Sequence, residues 1–475
     1  MNHSQRAPDS RSAAVEHPPA LVTRDGGEAL EVPSPVPSPS SPPFNEAAVI
    51  GEQLTHHEGK TAEDRPKVGA SYIWLVVLAT FGSIMALVGP IGYSLAVLVN
   101  RIAPDNQEFL GYVTGVGALV VVLVGPLVGI LSDRTRSRLG RRRPWIAALT
   151  LVGLGGLLIV AFASNLAIAM LGWAVTQLGF GIAGLQVVSS MGDRLPESQR
   201  GKVAGLTGVA TMLASIVGVT LASVFTGSDV LIFMVPGAIG AVLIFLFVLF
   251  VKEPDGRDAP QQARATIGSL VAGYGYNVKR YADFSWNWLG RFFFNFGLTM
   301  ATTFTTFFFA TKLGVPVTEI GGLIAISGLV GIVGTVGGAV LSGFLSDRLK
   351  RRKSFIIFAA VLFAAGTVIS AFAPDLTVLL VGMLVWNIGL GVFSAVDQAL
   401  YLDVLPEQDT QAGRFVAINQ FSTSIPQFAA PLLAPVFLLI GVASGESNYP
   451  LLYVVSGVFA LLGGLIILLR VKSVR

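Results

Sequence analysis

Two short stretches of sequence decide the fold: Gly129-Ile130-Leu131-Ser132-Asp133-Arg134 and Gly343-Phe344-Leu345-Ser346-Asp347-Arg348. The second repeats the first at a separation of 214 residues (347 − 133 = 214). Asp193-Arg194-Leu195-Pro196-Glu197 recurs as Asp403-Val404-Leu405-Pro406-Glu407 at a separation of 210 (403 − 193 = 210). Because two motifs keep nearly the same separation, they indicate an internal duplication.

Twelve apolar segments surround these motifs, and each approaches or exceeds the ~20 residues that a helix needs to cross a bilayer. Only 13% of the residues are charged, whereas soluble proteins carry about 25%. The sequence therefore predicts an all-α membrane protein whose twelve transmembrane helices form two six-helix bundles, related as parallel pseudo-two-fold repeats. The predicted spans lie near 70–98, 108–131, 143–163, 165–191, 203–226, 229–251, 284–311, 317–346, 354–373, 376–399, 415–441 and 449–470.

The same pattern divides the chain into four parts. Residues 1–66 are polar and rich in Pro and Ser, so they cannot bury enough apolar surface to fold, and we expect a disordered tail. Residues 67–251 are predicted to form the N-terminal bundle and residues 284–475 the C-terminal bundle. The polar residues 252–283 are predicted to link the two.

Basic residues are concentrated in one set of loops. Clusters such as Arg134 to Arg143 and Arg348 to Lys353 lie on one side, while the opposite loops hold only Arg101 and Lys312. Because Lys and Arg are enriched in cytoplasmic loops, we expect the basic side to be cytoplasmic. An even number of spans then places both termini in the cytoplasm, including the tail.

The repeated motifs carry a family resemblance. Gly129-x-Leu131-x-Asp133-Arg134, followed by Gly140-Arg141-Arg142-Arg143, resembles the loop 2–3 signature of the major facilitator superfamily. The second copy is similar to the compact form of that signature. The longer first copy, from Ser132 to Pro144, resembles that of sucrose-type sugar:proton symporters and the related glycoside–cation symporters. The superfamily resemblance extends over residues 70–471 and implies that spans 1, 4, 7 and 10 line a central cavity.

Charges and glycines in the motifs predict a conformational latch. Gly129 and Gly343 would let another helix approach closely. Asp133 and Asp347 lie beside guanidinium groups, and such contacts can hold one conformation and break in another. The predicted gating residues are Gly129, Asp133, Arg134, Gly140, Arg141, Asp193, Gly343, Asp347, Arg348 and Asp403. The alternative interpretation is that the arginines only fix the orientation of the chain.

Two charges lie inside predicted spans, where charge is costly and usually functional. Arg291 lies in the seventh span and Asp397 in the tenth. Polar residues follow a helical period around Arg291, and an aromatic, an acid and amides beside a cavity suit a polyol. The predicted solute or coupling residues are Asn287, Arg291, Asn295, Trp386, Asn387 and Asp397. A structural salt bridge is the alternative for the two charges, and lipid or core packing for Trp386.

Several absences narrow the function. The chain has no cysteine, and its four histidines all precede the first span, so no metal site and no histidine proton relay are expected within the membrane. No phosphate-cradling Gly-x-x-x-x-Gly-Lys-Ser/Thr loop is present, which argues against ATP drive and leaves no expected cofactor. Span 2 lacks the acids that sodium-coupled melibiose-type carriers use.

The sequence therefore predicts a carrier and not an enzyme. The expected function is secondary transport of a small solute, a sugar or glycoside, across the cell membrane together with protons. The bilayer is its expected environment, no nucleic acid is expected as a partner, and one copy should suffice for function. The alternatives are a proton-coupled exporter of drugs or metabolites and a non-transporting membrane sensor with the same fold.

Overall fold

The structure is a computed structural model that describes residues 66–253, 255, 257, 274–407, 411–442 and 446–473. The side chains of residues 412 and 413 are outside this description. The predicted tail 1–66, apart from its last residue, and most of the predicted linker 252–283 also lie outside the described residues. The limits of these two segments therefore stay predictions.

Twelve helices follow one another along the described chain, as predicted. The first half contains α1 Ala70–Ile102, α2 Phe109–Asp133, α3 Arg143–Ala161, α4 Leu166–Arg194, α5 Glu197–Val224 and α6 Leu231–Phe250. The second half contains α7 (Ala282–Thr303 and Thr305–Leu313), α8 Gly321–Leu349, α9 Arg352–Ala371, α10 Leu376–Val404, α11 Ala412–Leu438 and α12 Tyr449–Arg470. Within the described residues, eleven helices are long and apolar enough to span a membrane, and the bent pair of α7 makes a twelfth. The all-α membrane fold is confirmed.

Helix ends differ from the predicted spans because helices continue past their apolar stretches. Helix α5 begins at Glu197 instead of near residue 203, and α10 ends at Val404 instead of near residue 399. Polar residues in a terminal turn continue the helical backbone without adding hydropathy, so hydropathy alone makes the predicted helices too short. The repeated acids consequently lie in the last turns of helices and not in loops: Asp133 in α2, Asp193 in α4, Asp347 in α8 and Asp403 in α10.

Three helices are irregular. Helix α1 contains a π-helical turn at Pro90–Ser94, where proline supplies no N–H to the regular ladder. Helix α4 contains a second π turn at Gln177–Gly181. Helix α7 bends by 50° at Phe304, within the predicted span 284–311. The Thr305 hydroxyl bonds to the Ala301 carbonyl there, and such back-bonding bends helices.

The duplication is visible in the packing. Gly156 of α3 faces the backbone nitrogen of Thr176 in α4, and Gly366 of α9 faces that of Trp386 in α10; an added β-carbon would lie 2.4 Å from that nitrogen in each case. The equivalent residues are 210 positions apart (366 − 156 = 210 and 386 − 176 = 210), the same separation as Asp193 and Asp403. Helix pairs α3–α4 and α1–α6 in the first half correspond to α9–α10 and α7–α12 in the second. These equivalent contacts confirm two related six-helix bundles.

The halves meet through α2 with α11 and through α5 with α8. We define the arginine-rich end as the end where α2, α4, α8 and α10 finish, and the opposite end as the end where α2 and α8 begin. At the opposite end, a β-carbon on Gly111 would lie 2.2 Å from the Pro431 carbonyl oxygen. The Tyr93 hydroxyl donates to the Thr318 carbonyl at 2.8 Å, also between the halves. The opposite end is therefore closed by close contacts between the two bundles.

Candidate functional site

A buried ion pair joins α7 to α10. Arg291 Nη1 lies 2.7 Å from Asp397 Oδ2. The side chain of Asp397 is 3% exposed and that of Arg291 is 20% exposed. The contact is close without the alignment of a hydrogen bond, since Nη1 has no hydrogen-bond partner among the described residues. The structure thus brings together the two charges that the sequence singled out, and leaves the arginine as the accessible member.

Polar atoms without hydrogen-bond partners surround this pair on the same helix faces. Asn287 precedes Arg291 by one turn and is fully buried, and both polar atoms of its side chain lack a partner within the described chain. Tyr401 follows Asp397 by one turn, and its buried hydroxyl also has none there. Buried polar groups are normally hydrogen-bonded, so several exceptions in one region require an explanation. Donors and acceptors in this arrangement could bind a solute rich in hydroxyl groups.

The other predicted solute residues have different surroundings. Asn295 donates to the Arg291 carbonyl at 2.8 Å and is half-buried one turn along the polar face of α7. Trp386 packs edge-on against Phe363 of α9 with ring centres 5.6 Å apart, and its buried indole nitrogen has no partner among the described residues. Contact of either residue with a solute stays a prediction.

Asn387 lies in the interface between α8 and α10. It donates to the Met383 carbonyl at 2.8 Å and accepts from the Thr335 hydroxyl at 3.3 Å. A β-carbon on Gly334 would lie 3.0 Å from the β-carbon of Asn387, so the two helices are in close contact there. These bonds place Asn387 in helix packing, and its contact with a solute also stays a prediction.

An aromatic layer separates the ion pair from the arginine-rich end of the second half. Phe284, Tyr401 and Phe415 pack together from α7, α10 and α11. At its border the Tyr281 hydroxyl donates to the Glu407 carboxylate, and this hydrogen bond raises the pKa of Tyr281. The layer packs α7 against α10 and α11 between the polar residues and the arginine-rich end.

One arginine bridges the repeated acids in the first half. Arg142 lies 3.1 Å from Asp133 and 2.7 Å from Asp193, and it also donates to Gln186 at 3.0 Å. Its side chain is 9% exposed. Arg141 reaches Asp193 at 3.3 Å. The predicted association of acids and guanidinium groups is therefore present, with Arg142 at its centre.

The second half contains the same arrangement in a looser form. Arg352 is paired with Asp403 and lies 3.8 Å from Asp347. It also donates to the Ala399 carbonyl at 2.7 Å. The side chain of Asp347 is 71% exposed, against 35% for Asp133. The cluster of the second half is consequently more open to solvent.

The glycines of the motifs divide into two groups. An added β-carbon at Gly129 or Gly343 would meet no other heavy atom within 4 Å, so no helix approaches closely there in this conformation, and the gating role of these glycines stays a prediction. Both glycines are half-buried, and the space that a side chain would occupy is open. Gly140 has a φ of +94° and lies against Glu253, which accepts from the Arg142 backbone N–H at 3.0 Å. Only glycine fits that position without strain.

Sequence reasoning missed Arg142 and Arg352 as the bridging residues. Of its predicted cations, Arg141 contacts Asp193, Arg134 directly follows α2, where its N–H bonds to the Ile130 carbonyl at 3.2 Å, and Arg348 is an exposed residue in the last turn of α8. The missed signal was the separation, because 352 − 142 = 210 repeats the separation of Asp193 and Asp403.

Known proteins similar to this chain include several sugar carriers. The arabinose-proton symporter of Bacillus subtilis (strain 168) is 35% identical over 75 residues, which is 16% of each chain. The galactose-proton symporter of Escherichia coli (strain K12) is 32% identical over 131 residues, 27% of this chain and 28% of the relative. Solute carrier family 45 member 3 of Mus musculus is 38% identical over 93 residues, 20% and 16% of the two chains. The matched parts span less than a third of these relatives' own lengths.

Solved structures with the same fold cover most of the chain. The nucleoside transporter NupG superposes with a TM-score of 0.63 at 13% identity, covering 84% of this chain and 99% of that one. A bacterial homolog of the human lysosomal transporter Spinster, inward-facing and unoccupied, gives a TM-score of 0.64 at 15% identity over 85% and 98% of the chains. A sequence profile of the Major Facilitator Superfamily matches residues 72–342 and 332–475. With this match, the two repeated bundles and the motif clusters, the chain belongs to the Major Facilitator Superfamily.

Proposed function

We propose that this protein carries a sugar or glycoside across the cell membrane by alternating access, together with protons. The observation that carries the proposal is the buried pair of Arg291 and Asp397 with unsatisfied polar groups beside it. Charges within membrane spans are costly and default to functional roles. The names of the sugar-proton symporters among the relatives support the substrate class.

The chemistry of the pair suits a neutral polyol. The guanidinium of Arg291 offers several fixed donors on the more exposed side chain of the pair, and the buried Asp397 carboxylate offers acceptors. Asn287 adds one donor group and one acceptor on the next turn of α7. A solute with hydroxyl groups can exchange hydrogen bonds with all three without bringing a net charge into the membrane.

Coupling to protons would use the same pair. No histidine occurs in any span, and Asp397 is an acid in the interior of a described helix instead of in its terminal turns. Protonation would remove the negative charge of Asp397 and so weaken its attraction to Arg291. Binding of a proton would then change the geometry of the solute site, and binding of the solute would change the affinity for the proton. Symport requires this mutual dependence.

The arginine-rich end is proposed to face the cytoplasm, since Lys and Arg prefer that side. The contacts of Gly111 with Pro431 and of Tyr93 with Thr318 would then close the outer side. This state corresponds to an inward-facing carrier. The clusters around Arg142 and Arg352 would hold the inner ends of each bundle in this state and rearrange when the inner side closes.

The test is uptake of labelled disaccharides and monosaccharides by proteoliposomes that contain the purified full chain. We expect accumulation of at least one sugar when the outside is acidic relative to the inside, and only equilibration without a pH gradient. Liposomes without protein and liposomes treated with a protonophore are the controls.

The other functions give different results. If the chain has the same orientation in the liposomes, a proton-coupled exporter would accumulate its solute only when the inside is acidic relative to the outside. Sugars would not compete with that solute. A sensor would bind a solute without net flux. Either result would replace the proposed symport.

A further inference from the structure

A groove runs along the second half between α8, α9 and α10. Its lining is almost entirely apolar, its volume is about 400 Å³, and along α8 it extends from Val333 to Leu345. Twelve residues of helix rise about 18 Å, close to the ~15 Å depth of hydrocarbon in one leaflet. The groove occupies the half of α8 that leads to the arginine-rich end, so it lies within the leaflet on that side.

Glycines create this groove. A β-carbon on Gly338 would lie 2.4 Å from the Ile388 carbonyl oxygen, so α8 and α10 approach closely at its floor. A β-carbon on Gly337 would meet no other heavy atom within 4 Å, so the missing side chain there is part of the open space. The rim remains exposed, with Leu341 at 73% and Phe358 at 52%. An apolar rim of this kind is surface that acyl chains cover in a membrane.

Exposed cations lie where the groove reaches the arginine-rich end. Arg348 follows Leu345 by three residues on α8, and Arg351 precedes Phe355 by four at the start of α9. The spacing of three residues places Arg348 on the face of α8 that lines the groove, and Arg351 is the residue immediately before α9 at the same end. The neighbouring acid, Asp347, is 3.8 Å from Arg352 and belongs to the cluster of the second half.

We propose that this groove binds one anionic phospholipid of the leaflet at the arginine-rich end. Its acyl chain lies along α8 between Val333 and Leu345, and its phosphate contacts Arg348 and Arg351. An apolar slot of leaflet depth that ends at two exposed cations matches the two parts of such a lipid. A neutral lipid fills the slot equally well but gains nothing from the cations. Two cations near an anionic headgroup correspond to about thirtyfold in affinity.

The test measures lipid binding to the purified full chain in detergent by native mass spectrometry. Dioleoyl phosphatidylglycerol and dioleoyl phosphatidylcholine are titrated separately, and the bound fractions give apparent affinities. The wild-type chain is expected to bind phosphatidylglycerol about thirtyfold more tightly than phosphatidylcholine. The double variant Arg348→Gln/Arg351→Gln is expected to lose most of this preference, whereas Arg348→Lys/Arg351→Lys keeps it. The matched control Arg200→Gln/Lys202→Gln removes two exposed cations at the same end of the first half and should bind like the wild type.

A second pair of variants tests the slot itself. Gly337→Leu fills the groove, and it is expected to weaken binding of both lipids several-fold. Gly322 is on the same helix and also has open space around it, but it lies outside the groove. Gly322→Leu should therefore leave the affinity for both lipids unchanged. Equal affinity for the two lipids, or loss of preference in the first-half control, would overturn the proposal. The proposal would also be overturned if Gly337→Leu changed the monomer–dimer ratio and left lipid binding intact. The groove would then be a contact between copies of the chain.

Discussion

Arg291 and Asp397 differ in exposure, and this difference gives them different tasks in the proposed cycle. The more exposed side chain of Arg291 is the better placed to contact a solute, whereas the Asp397 carboxylate is buried beside it. Breaking a buried pair by removing one member leaves an uncompensated charge. Removing the acid and removing the arginine should therefore have different effects on transport, because each leaves a different unpaired charge.

Asp397→Asn is expected to abolish accumulation of solute driven by a pH gradient and to permit downhill exchange. The amide keeps the size and hydrogen-bonding ability of the side chain but cannot carry a proton. Uptake and counterflow of the labelled sugar in proteoliposomes separate the two activities. Asp375→Asn at the first end of the same helix serves as the control and should keep the accumulation ratio, because Asp375 is an exposed N-cap outside the site and asparagine also caps helices. Wild-type accumulation in Asp397→Asn would reduce the pair to a structural salt bridge.

Arg142→Ala is expected to destabilise the chain more than Arg352→Ala. Loss of the buried Arg142 leaves two partly buried acids without their shared cation and should cost up to about 3 kcal/mol. The more exposed cluster of Arg352 should contribute about 1 kcal/mol. Thermal unfolding of the purified variants in detergent measures this difference, with Arg200→Ala as an exposed control. Equal losses for the two variants would contradict the asymmetry between the halves.

At this scale the sequence predicted isolated charges well and crowded charges poorly. Arg291 and Asp397 stand out because apolar residues surround them, and the structure pairs them. Arg142 lies in a run of three arginines, and any of these could reach the acids from the sequence alone. Which of the three arginines contacts both acids depends on the direction in which α3 begins. That direction is a property of the folded chain.

Among the helices, the closed opposite end depends on small residues. Gly111 and Gly115 of α2 leave room for the backbone of α11, which contains prolines at 426, 431 and 435. Prolines remove helical N–H groups and so leave carbonyl oxygens such as that of Pro431 facing a neighbour. The contact between α2 and α11 is therefore sensitive to a single methyl group.

Gly111→Ala is expected to shift the chain away from the conformation closed at the opposite end. Its β-carbon would lie 2.2 Å from the Pro431 carbonyl oxygen, which the closed state cannot accommodate without movement. Because the chain has no cysteine, Thr302→Cys on the exposed polar face of α7 provides a single reporter. Labelling of this cysteine by an impermeant maleimide from the outside should increase in the Gly111→Ala background. Gly125→Ala, whose β-carbon would have ordinary contact at 3.6 Å, should leave the rate unchanged; equal rates in both backgrounds would contradict the expected shift.

Hydropathy predicted the number and order of the helices because a bilayer requires long apolar segments. It did not predict the bend of α7 at Phe304 or the π turns of α1 and α4. These interruptions depend on which carbonyls a threonine or a neighbouring helix takes from the backbone ladder. Such competition leaves the average hydropathy of a segment unchanged.

For the molecule as a whole, deletion of residues 2–64 should leave insertion and sugar uptake nearly intact. The deleted segment is polar and rich in Pro and Ser, and the described bundles contain both proposed sites without it. Size-exclusion chromatography and proteoliposome uptake of the shortened chain provide the measurement. A loss of folded protein would show that the tail packs against the bundles.

The conformation of the whole molecule could not be predicted from the sequence. Contacts such as Tyr93 with Thr318 join residues that are 225 positions apart, and local patterns do not report on them. The duplication predicts two bundles that can rock, yet both states of such a carrier have the same sequence pattern. Only the positions of the close contacts distinguish which end is closed.

The orientation of the molecule gives the last prediction, because the inward-facing assignment depends on it. Ser198, at the start of α5, is exposed at the arginine-rich end, and Ser164, between α3 and α4, is exposed at the opposite end. Each is changed to cysteine in the otherwise cysteine-free chain and treated with an impermeant maleimide in intact cells. We expect Ser164→Cys to be labelled in intact cells and Ser198→Cys only after the membrane is permeabilised, since loops rich in Lys and Arg prefer the cytoplasmic side. The reverse labelling pattern would show that the closed end faces the cytoplasm. The same contacts would then belong to an outward-facing carrier.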